Sequence, residues 1–418
     1  MRAHSEAGAG AGAAGGASGA PGCGAGEGAA SAAGFLRKKL NMPPLSPGLR
    51  ASTGPGHRRR AEQSPTERWN RQESPVQAAF ITGHGGNEVV QVGERPLPPL
   101  GPGEVRVRLQ AATLNRVDLY MRDSGAGITH ALPLVLGLDG AGTVAAAAGD
   151  VTGWSPGQRV IVHPGVACGQ CGHCLRGDDV LCAGIRYLGE HRDGTLAEFV
   201  SLPARQVFAW PEHLDAAEAA ALGVNHLTAW RMLFTRARLQ PWETVLVFGI
   251  GGGVSLAGLQ LAKGIGARVI VTSRDPAKLD RARALGADAT IDATRQDVAK
   301  EVARLTQGHG VDVVFENVGA AVWSSALKSM ARGGRLVTCG ATSGDQPGAD
   351  LRRLFIRQLQ VMGSTLGTLS EMSDLLRWVA RHGLRPVIDS RFRLGDVHAA
   401  LDRLAGGQQF GKVAIDLG

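Results

Sequence analysis

From residue 76 onward, apolar and polar positions follow one another in two different rhythms; before it there is no rhythm. Residues 105–109 read Val-Arg-Val-Arg-Leu, apolar at every second position, which is the period of a strand with one buried face. The turn signal Gly101-Pro102-Gly103 stands just before it. Short stretches of β character, broken by Gly and Pro, continue through 142–144 and 159–162 to about Pro203, predicting a mostly β region. Beyond that point the period lengthens. Asp215 with Glu218 three residues on is a capping-box pattern opening a helix over 216–222, and a second amphipathic stretch covers 228–238. Runs of strand type at 244–248, 268–272, 311–315 and 335–338 then alternate with helical segments 254–265, 276–285, 296–306 and 321–331. Strands apolar on both faces and separated by helices predict a parallel sheet covered on both sides. A helix over 370–382 and a strand near 412–415 close the chain, and no internal repeat is found.

Composition changes this picture mainly at the N-terminus. Of 418 residues 60 are glycine, and residues 7–34 are nearly all Gly, Ala and Ser. A segment so poor in bulky side chains cannot bury enough apolar area to offset its ordering entropy. Residues 1–75 are therefore expected to be a disordered extension; a transit peptide and an over-long reading frame are the other readings of it. The net charge of +8 lies mostly there: ten Lys/Arg against five Asp/Glu, leaving +3 for the remainder. A nearly neutral folded part argues against nucleic acid as its partner. No apolar run reaches the ~18 residues of a membrane span, and the start is too weakly apolar for a signal peptide. A cytoplasmic enzyme is the expectation.

Two sets of residues carry chemistry. After the strand at 244–248 comes Gly249-Ile250-Gly251-Gly252-Gly253-Val254-Ser255 and then a helix. A bare backbone at a helix N-terminus, with its unpaired N–H groups, accepts a dinucleotide pyrophosphate. Gly249, Gly251, Gly252, Gly253 and Val254 are the candidate contacts, with Ser255 where a third motif glycine is usual. About twenty residues on, NAD enzymes place a carboxylate for the ribose 2′-hydroxyl. This chain has Ser273 and Arg274 there, with Lys278 one turn later, offering donors and positive charge to a 2′-phosphate. NADP is favoured over NAD, although Asp275 blurs the signal.

The second set is Cys168, Cys171, Cys174 and Cys182, spaced C-x2-C-x2-C-x7-C. Four thiolates around one centre suit a closed, structural Zn²⁺ site, one per chain, with no open position for chemistry. Two disulfides and an iron–sulfur cluster are the competing readings; the short spacings strain a disulfide.

In this order these elements resemble the medium-chain dehydrogenase/reductase superfamily from about Val76 to Gly418. The resemblance is carried by Leu136-Gly137-Leu138-Asp139-Gly140-Ala141-Gly142, the cysteine lobe, Gly189-Glu190-His191-Arg192-Asp193-Gly194, the glycine turn, Asn317-Val318-Gly319 and Phe410-Gly411-Lys412. It implies an α/β chain: a GroES-like β domain over 76–224 bearing the four-cysteine lobe, a doubly wound Rossmann domain over 225–365 inserted into it, and a return over 366–418. It further implies that Asn317, Gly340 and Lys412 help to hold the cofactor, and that the chain is a homodimer or homotetramer.

Zinc alcohol dehydrogenases of this family hold a second, catalytic zinc. Aligned by motif, its ligand positions are here Asn115, Leu138 and Val224, and the position of the proton-relay hydroxyl is Val117. An amide and two aliphatic side chains make no useful zinc site, and Asp118 and Asp139 alone make a poor one. What remains resembles the quinone oxidoreductase branch through Asn115 and Tyr120. That resemblance implies hydride transfer from NADPH to a quinone, enone or other activated carbonyl, with Asn115 and Tyr120 as candidate donors to the developing oxyanion, an ordinary hydrogen-bonding core role for Asn115 standing equally beside this and Asp118 read as structural. Two alternatives stand beside it. One is a zinc-dependent alcohol dehydrogenase recruiting His163, His191 or His226; the other is a non-enzymatic NADPH-binding member.

Overall fold

The computed structural model describes residues 75–418; the expected extension at 1–75 falls almost wholly outside them. The first layer is β. Strands β1 (Val76–Ile81), β2 (Val90–Arg95) and β4 (Leu134–Val135) form a small sheet. The larger one is built on the ten-residue β3 (Glu104–Thr113), with β5 (Asp139–Ala147), β6 (Arg159–Val162) and β10 (Val207–Ala209) on one side. Strand β9 (Phe199–Pro203) also pairs with β3. On the other side lie β18 (Lys412–Asp416) and β17 (Ile388–Arg393), so the end of the chain completes the sheet begun near its start. The valines and leucine of the alternating stretch 105–109 are buried, as the period requires.

The second layer is a six-stranded, wholly parallel sheet in the order β13-β12-β11-β14-β15-β16. Its strands are β11 (Thr244–Val247), β12 (Arg268–Ser273), β13 (Ala289–Asp292), β14 (Val311–Glu316), β15 (Met330–Thr338) and β16 (Gln360–Gly363). The sheet reverses direction of growth between β11 and β14, the crevice where doubly wound sheets bind ligands. Helices α1 (Arg116–Ser124), α2 (Gly172–Leu175), α3 (Ala216–Ala220), α4 (Leu227–Trp230), α5 (Gly253–Gly264) and α6 (Pro276–Ala284) matter below. The expected mixture of a β domain and a doubly wound parallel sheet is what the chain forms.

Local departures have local causes. The two helices read at 216–222 and 228–238 are one winding path: α3, a π-helical segment Leu222–His226, α4, and a second π-helical segment Arg231–Arg236. Wide π turns keep the chain helical but swing side chains off the 3.6 period. The helix read over 321–331 ends at Ser329, because Met330 and Ala331 already belong to β15. Strands β13, β16 and β17 gave no clear signal, having few buried apolar positions.

Candidate active site

At the C-terminal end of β11 the backbone turns through Gly249 (φ +65°) and Gly251 (φ +115°) before α5 begins at Gly253. These conformations favour glycine. A Cβ at Gly253 would overlap the Asn225 amide, so the helix N-terminus stays bare. Ser255, in place of the third motif glycine, is fully buried; its hydroxyl donates to the Phe248 carbonyl (2.9 Å) and accepts from Asn317 Nδ2 (3.0 Å). The substitution therefore ties α5 to Asn317. Glu316, fully buried, accepts from the Val318 and Gly319 amides and from Thr338 Oγ1, which fixes the loops after β14 and β15 that border the crevice. Gly340 lies against the Asn317 backbone.

The candidate 2′-phosphate residues are less united than their spacing suggests. Ser273 ends β12, buried, its hydroxyl accepting from the Asp275 amide (3.0 Å). Asp275 turns one carboxylate oxygen, Oδ1, onto the Ala277 amide as the N-cap of α6. Arg274 is exposed and unpaired. Lys278 goes elsewhere: its stem crosses Gly251 and its ammonium donates to the Gly407 carbonyl at 2.6 Å. Burial holds its pKa below the usual lysine value.

The positions of the family's catalytic zinc ligands lie at one end of the large sheet. Register sets Asp139 opposite Thr113, and Ala414 opposite Thr113 on the other side, so Lys412 comes to Asn115. Lys412, 3% exposed, donates to Asn115 Oδ1 (2.6 Å) and Asp139 Oδ2 (2.9 Å). The same Asp139 oxygen accepts from Thr113 Oγ1 (2.7 Å) and Asn115 Nδ2 (3.0 Å). Asn225, beside Val224 in the first π-helical segment, donates to Asn115 Oδ1 at 2.8 Å. The Asn115 amide is thus occupied on both sides: its nitrogen faces Asp139 and the Thr113 carbonyl, its oxygen Lys412 and Asn225. It has no donor left for a substrate oxygen. Leu138, buried, and Val224, packed on the core, supply no ligand atom. These residues do not fit a Zn²⁺ ion.

Tyr120 does not join Asn115. It lies 38% exposed on α1, its hydroxyl 3.5 Å from Thr342 Oγ1. Asp118 is buried beneath the site, its oxygens accepting the Asn115 (2.7 Å) and Gly137 (3.0 Å) amides; burial pushes its pKa up to about 7. The histidines considered for a displaced zinc are separate. His163 bonds the Gly367 carbonyl, His226 bonds Gln260, and His191 Nδ1 accepts the Tyr187 amide.

Among the described residues, the one group of three or more metal-type side chains that converges is Cys168, Cys171, Cys174 and Cys182, all within 4.8 Å of one another. All four thiols are free of disulfides. Sulfur separations of 3.8 Å (Cys168–Cys174) and 3.6 Å (Cys171–Cys174) match the edge of a tetrahedron, about 3.8 Å, drawn by Zn–S bonds of about 2.3 Å. The donor set fits zinc. Sequence reasoning overlooked Asn225 and Glu316, which no motif marks. It quoted Glu190 within a motif without giving it a role.

Comparison with known proteins bears on the same regions. The family model for the alcohol dehydrogenase GroES-like domain matches residues 101–212, and that for zinc-binding dehydrogenases matches 253–381. An NAD-dependent alcohol dehydrogenase of Saccharolobus solfataricus is 31% identical over 330 residues, 76% of this chain and 93% of that protein. Among solved structures, an NAD-dependent alcohol dehydrogenase is 42% identical with a TM-score of 0.79, covering 82% of this chain and 100% of the other. A crotonyl-CoA carboxylase/reductase is 28% identical with a TM-score of 0.76, covering 82% and 88%.

Proposed function

The chain belongs to the zinc-type alcohol dehydrogenase group of the medium-chain dehydrogenase/reductase superfamily, and from that premise we propose that it is an NADPH-dependent reductase of quinones, enones or related activated carbonyls that works without a catalytic zinc. The observation that carries the reading is the set Asn115, Leu138 and Val224 where the family's zinc ligands belong, with the one polar member locked onto Lys412, Asp139 and Asn225. The relatedness to a reductase named for crotonyl-CoA supports an activated alkene among the substrates.

The bare turn Gly249–Gly253, bordered by Asn317, Gly340 and Lys412, would hold a nicotinamide dinucleotide, which supplies hydride when bound. The relatives named above are called NAD-dependent. Our preference for NADPH rests on this chain's own residues: β12 ends on Ser273 where NAD enzymes place a carboxylate, and Arg274 beside it is unpaired. The four cysteines would hold one structural zinc, closing the lobe around α2. Strand β16 is an open edge of the parallel sheet, and Leu351, Phe355 and Ile356 are exposed just before it, which supports a homodimer.

The test is metal content and substrate range of the full chain. One zinc per chain, NADPH-driven reduction of an o-quinone or enone, and a rate that survives chelation are the expected results. Two zincs per chain, with alcohol oxidation abolished by a chelator, would make it a metal-dependent alcohol dehydrogenase. Cofactor binding with no turnover of any such substrate would make it a non-enzymatic member.

A further inference from the structure

Reduction of an enone or carbonyl needs a proton as well as a hydride, and no relay hydroxyl stands at Val117. Around the Asn115–Asp139 network, the groups able to give a proton are mostly committed. Asp118 is fully buried and accepts two peptide N–H bonds. Asp139 is paired with Lys412. Tyr120 lies out at Thr342. Glu190 differs from all of these. It sits in the tight loop after β8 (Arg186–Tyr187), closed by a bond from the Gly189 amide to the Arg192 carbonyl (2.8 Å).

That loop is pressed onto the backbone of the aligned ligand segment. A Cβ on Gly189 would stand 2.7 Å from the Gly137 carbonyl, one residue from Leu138. The Glu190 side chain is only 12% exposed, yet its carboxyl makes no hydrogen bond. His191 Nδ1 is 4.0 Å away and already accepts the Tyr187 amide at 3.2 Å, so that nitrogen cannot donate to it. The charge of Asp118 on α1 faces it as well.

We propose that Glu190 is the proton donor of the reaction, its un-ionised carboxyl protonating the carbon or oxygen that gains negative charge when hydride is delivered. The assignment rests on the zinc-free reductase reading. The C=C or C=O π bond breaks as the new C–H bond forms, and its electron pair takes the proton from the Glu190 O–H. Glu190 is left as carboxylate and recovers a proton from water at its exposed edge. One NADPH and one proton are consumed per substrate reduced. The surroundings favour the un-ionised form: burial and the Asp118 charge push the Glu190 pKa up to about 7. The other titratable groups facing it are Tyr187, whose phenol burial pushes up to about 12, and His191, held below its usual value by burial with Arg186 and His130 beyond it. Among the described residues no lysine or arginine forms an ion pair with the carboxyl, and Arg186 donates to the His191 carbonyl instead (2.7 Å).

The test uses the full zinc-loaded chain and Glu190→Gln, nearly isosteric with the un-ionised acid, with the same thermal midpoint required of both. With NADPH and an enone, wild-type kcat should fall about tenfold per pH unit above pH 7, since the donor must be protonated. Glu190→Gln should lose about 10²-fold or more in kcat, the range of general acid catalysis, keep its NADPH Kd within about twofold, and show no such pH limb. Independently of turnover, infrared titration of the free protein should show carboxylic-acid absorption lost near pH 7 in wild type, part of it from Asp118, and a loss smaller by one carboxyl in Glu190→Gln. Unchanged kcat, a pH limb that persists in Glu190→Gln but vanishes in His191→Asn, or no infrared difference would each overturn the assignment. A wild type that reduces no quinone or enone overturns the reading of the function itself. An active wild type with an indifferent Glu190→Gln overturns the proton donor alone.

Discussion

Replacing Lys412 by Met tests the network that stands where the metal ligands would be. Lys412 is 3% exposed and Asp139 wholly buried, with 2.9 Å between ammonium and carboxylate. In Lys412→Met the carboxylate keeps two neutral donors, Thr113 and Asn115, both on Oδ2; Oδ1 has no partner even now. Methionine nearly preserves the volume, so a cavity adds little. The cost is that of an uncompensated buried charge, about 3–5 kcal/mol for removing one partner of such a pair. Asn115 Oδ1 also loses its 2.6 Å donor and keeps only Asn225.

The assay is denaturant unfolding of wild type, Lys412→Met, Asp139→Asn and the double variant, with thermal midpoints as a second measure. At roughly 2–4 °C per kcal/mol for large domains, the single lysine variant should melt about 6–20 °C lower. The double variant, with both charges gone, should recover most of this loss, since a neutral replacement of a buried pair is often close to neutral in stability. If Lys412→Met costs under about 1 kcal/mol, or if the double variant is less stable than either single one, the two residues are not a coupled charge pair and the account of the site is wrong.

Cys171→Ser should release the zinc and lower the melting temperature while a soluble fraction still reduces substrate, because the lobe holds structure; metal analysis and calorimetry read both, and full stability with lost turnover would contradict it. Arg274→Ala should lower kcat/KM for NADPH by roughly tenfold at low ionic strength and leave NADH nearly unchanged, a charge-assisted contact of about 1.5–3 kcal/mol being reduced by solvent screening. Lys278→Ala, which cuts the tie to Gly407, should affect both cofactors alike, and an equal loss for both in Arg274→Ala would refute the phosphate contact. Gly253→Ala should cut cofactor affinity more than any other single methyl at the turn, since the new Cβ displaces Asn225 from Asn115; unchanged dinucleotide Kd by fluorescence titration would refute it.

Much of the scaffold was legible because its signals are local. Segments such as 244–247 and 268–272 are apolar on both faces, which only a doubly covered sheet requires, and the cysteine spacing closes its own tetrahedron within fifteen residues. The site was legible as positions but not as bonds. Asn115 looked like a free donor because the residues that occupy it, Asn225 and Lys412, lie 110 and 297 positions away. Lys278 looked like a phosphate ligand because it follows Ser273 by five residues, whereas its ammonium is held by a carbonyl 129 residues on. Tyr120 shares a helix with Asn115 but faces Thr342, across the boundary between the two sheets. Such pairings are set by how layers stack, and no short pattern encodes them.

The substitutions at the ligand positions form a consistent electrostatic set. A dication held by thiolate, imidazole and carboxylate offers a strong local field to a substrate oxygen. Here Leu138 and Val224 remove two ligands outright, and Asn115 brings no charge. Asp139 is paired with Lys412, which leaves the centre without the concentrated positive charge a metal would supply. A substrate oxygen or carbon gaining charge in such a place cannot lean on a metal, and with the Asn115 amide spent it cannot lean on that donor either. Charge must then be removed rather than stabilised, which means proton transfer at the moment hydride arrives. The carboxyl of Glu190, sheltered and without a hydrogen bond in the loop whose Gly189 lies against Gly137, is the group we assign to that step. Quinones and enones, whose conjugation spreads the charge gained with the hydride, need less stabilisation at a single atom than simple ketones do and so suit a centre without a metal.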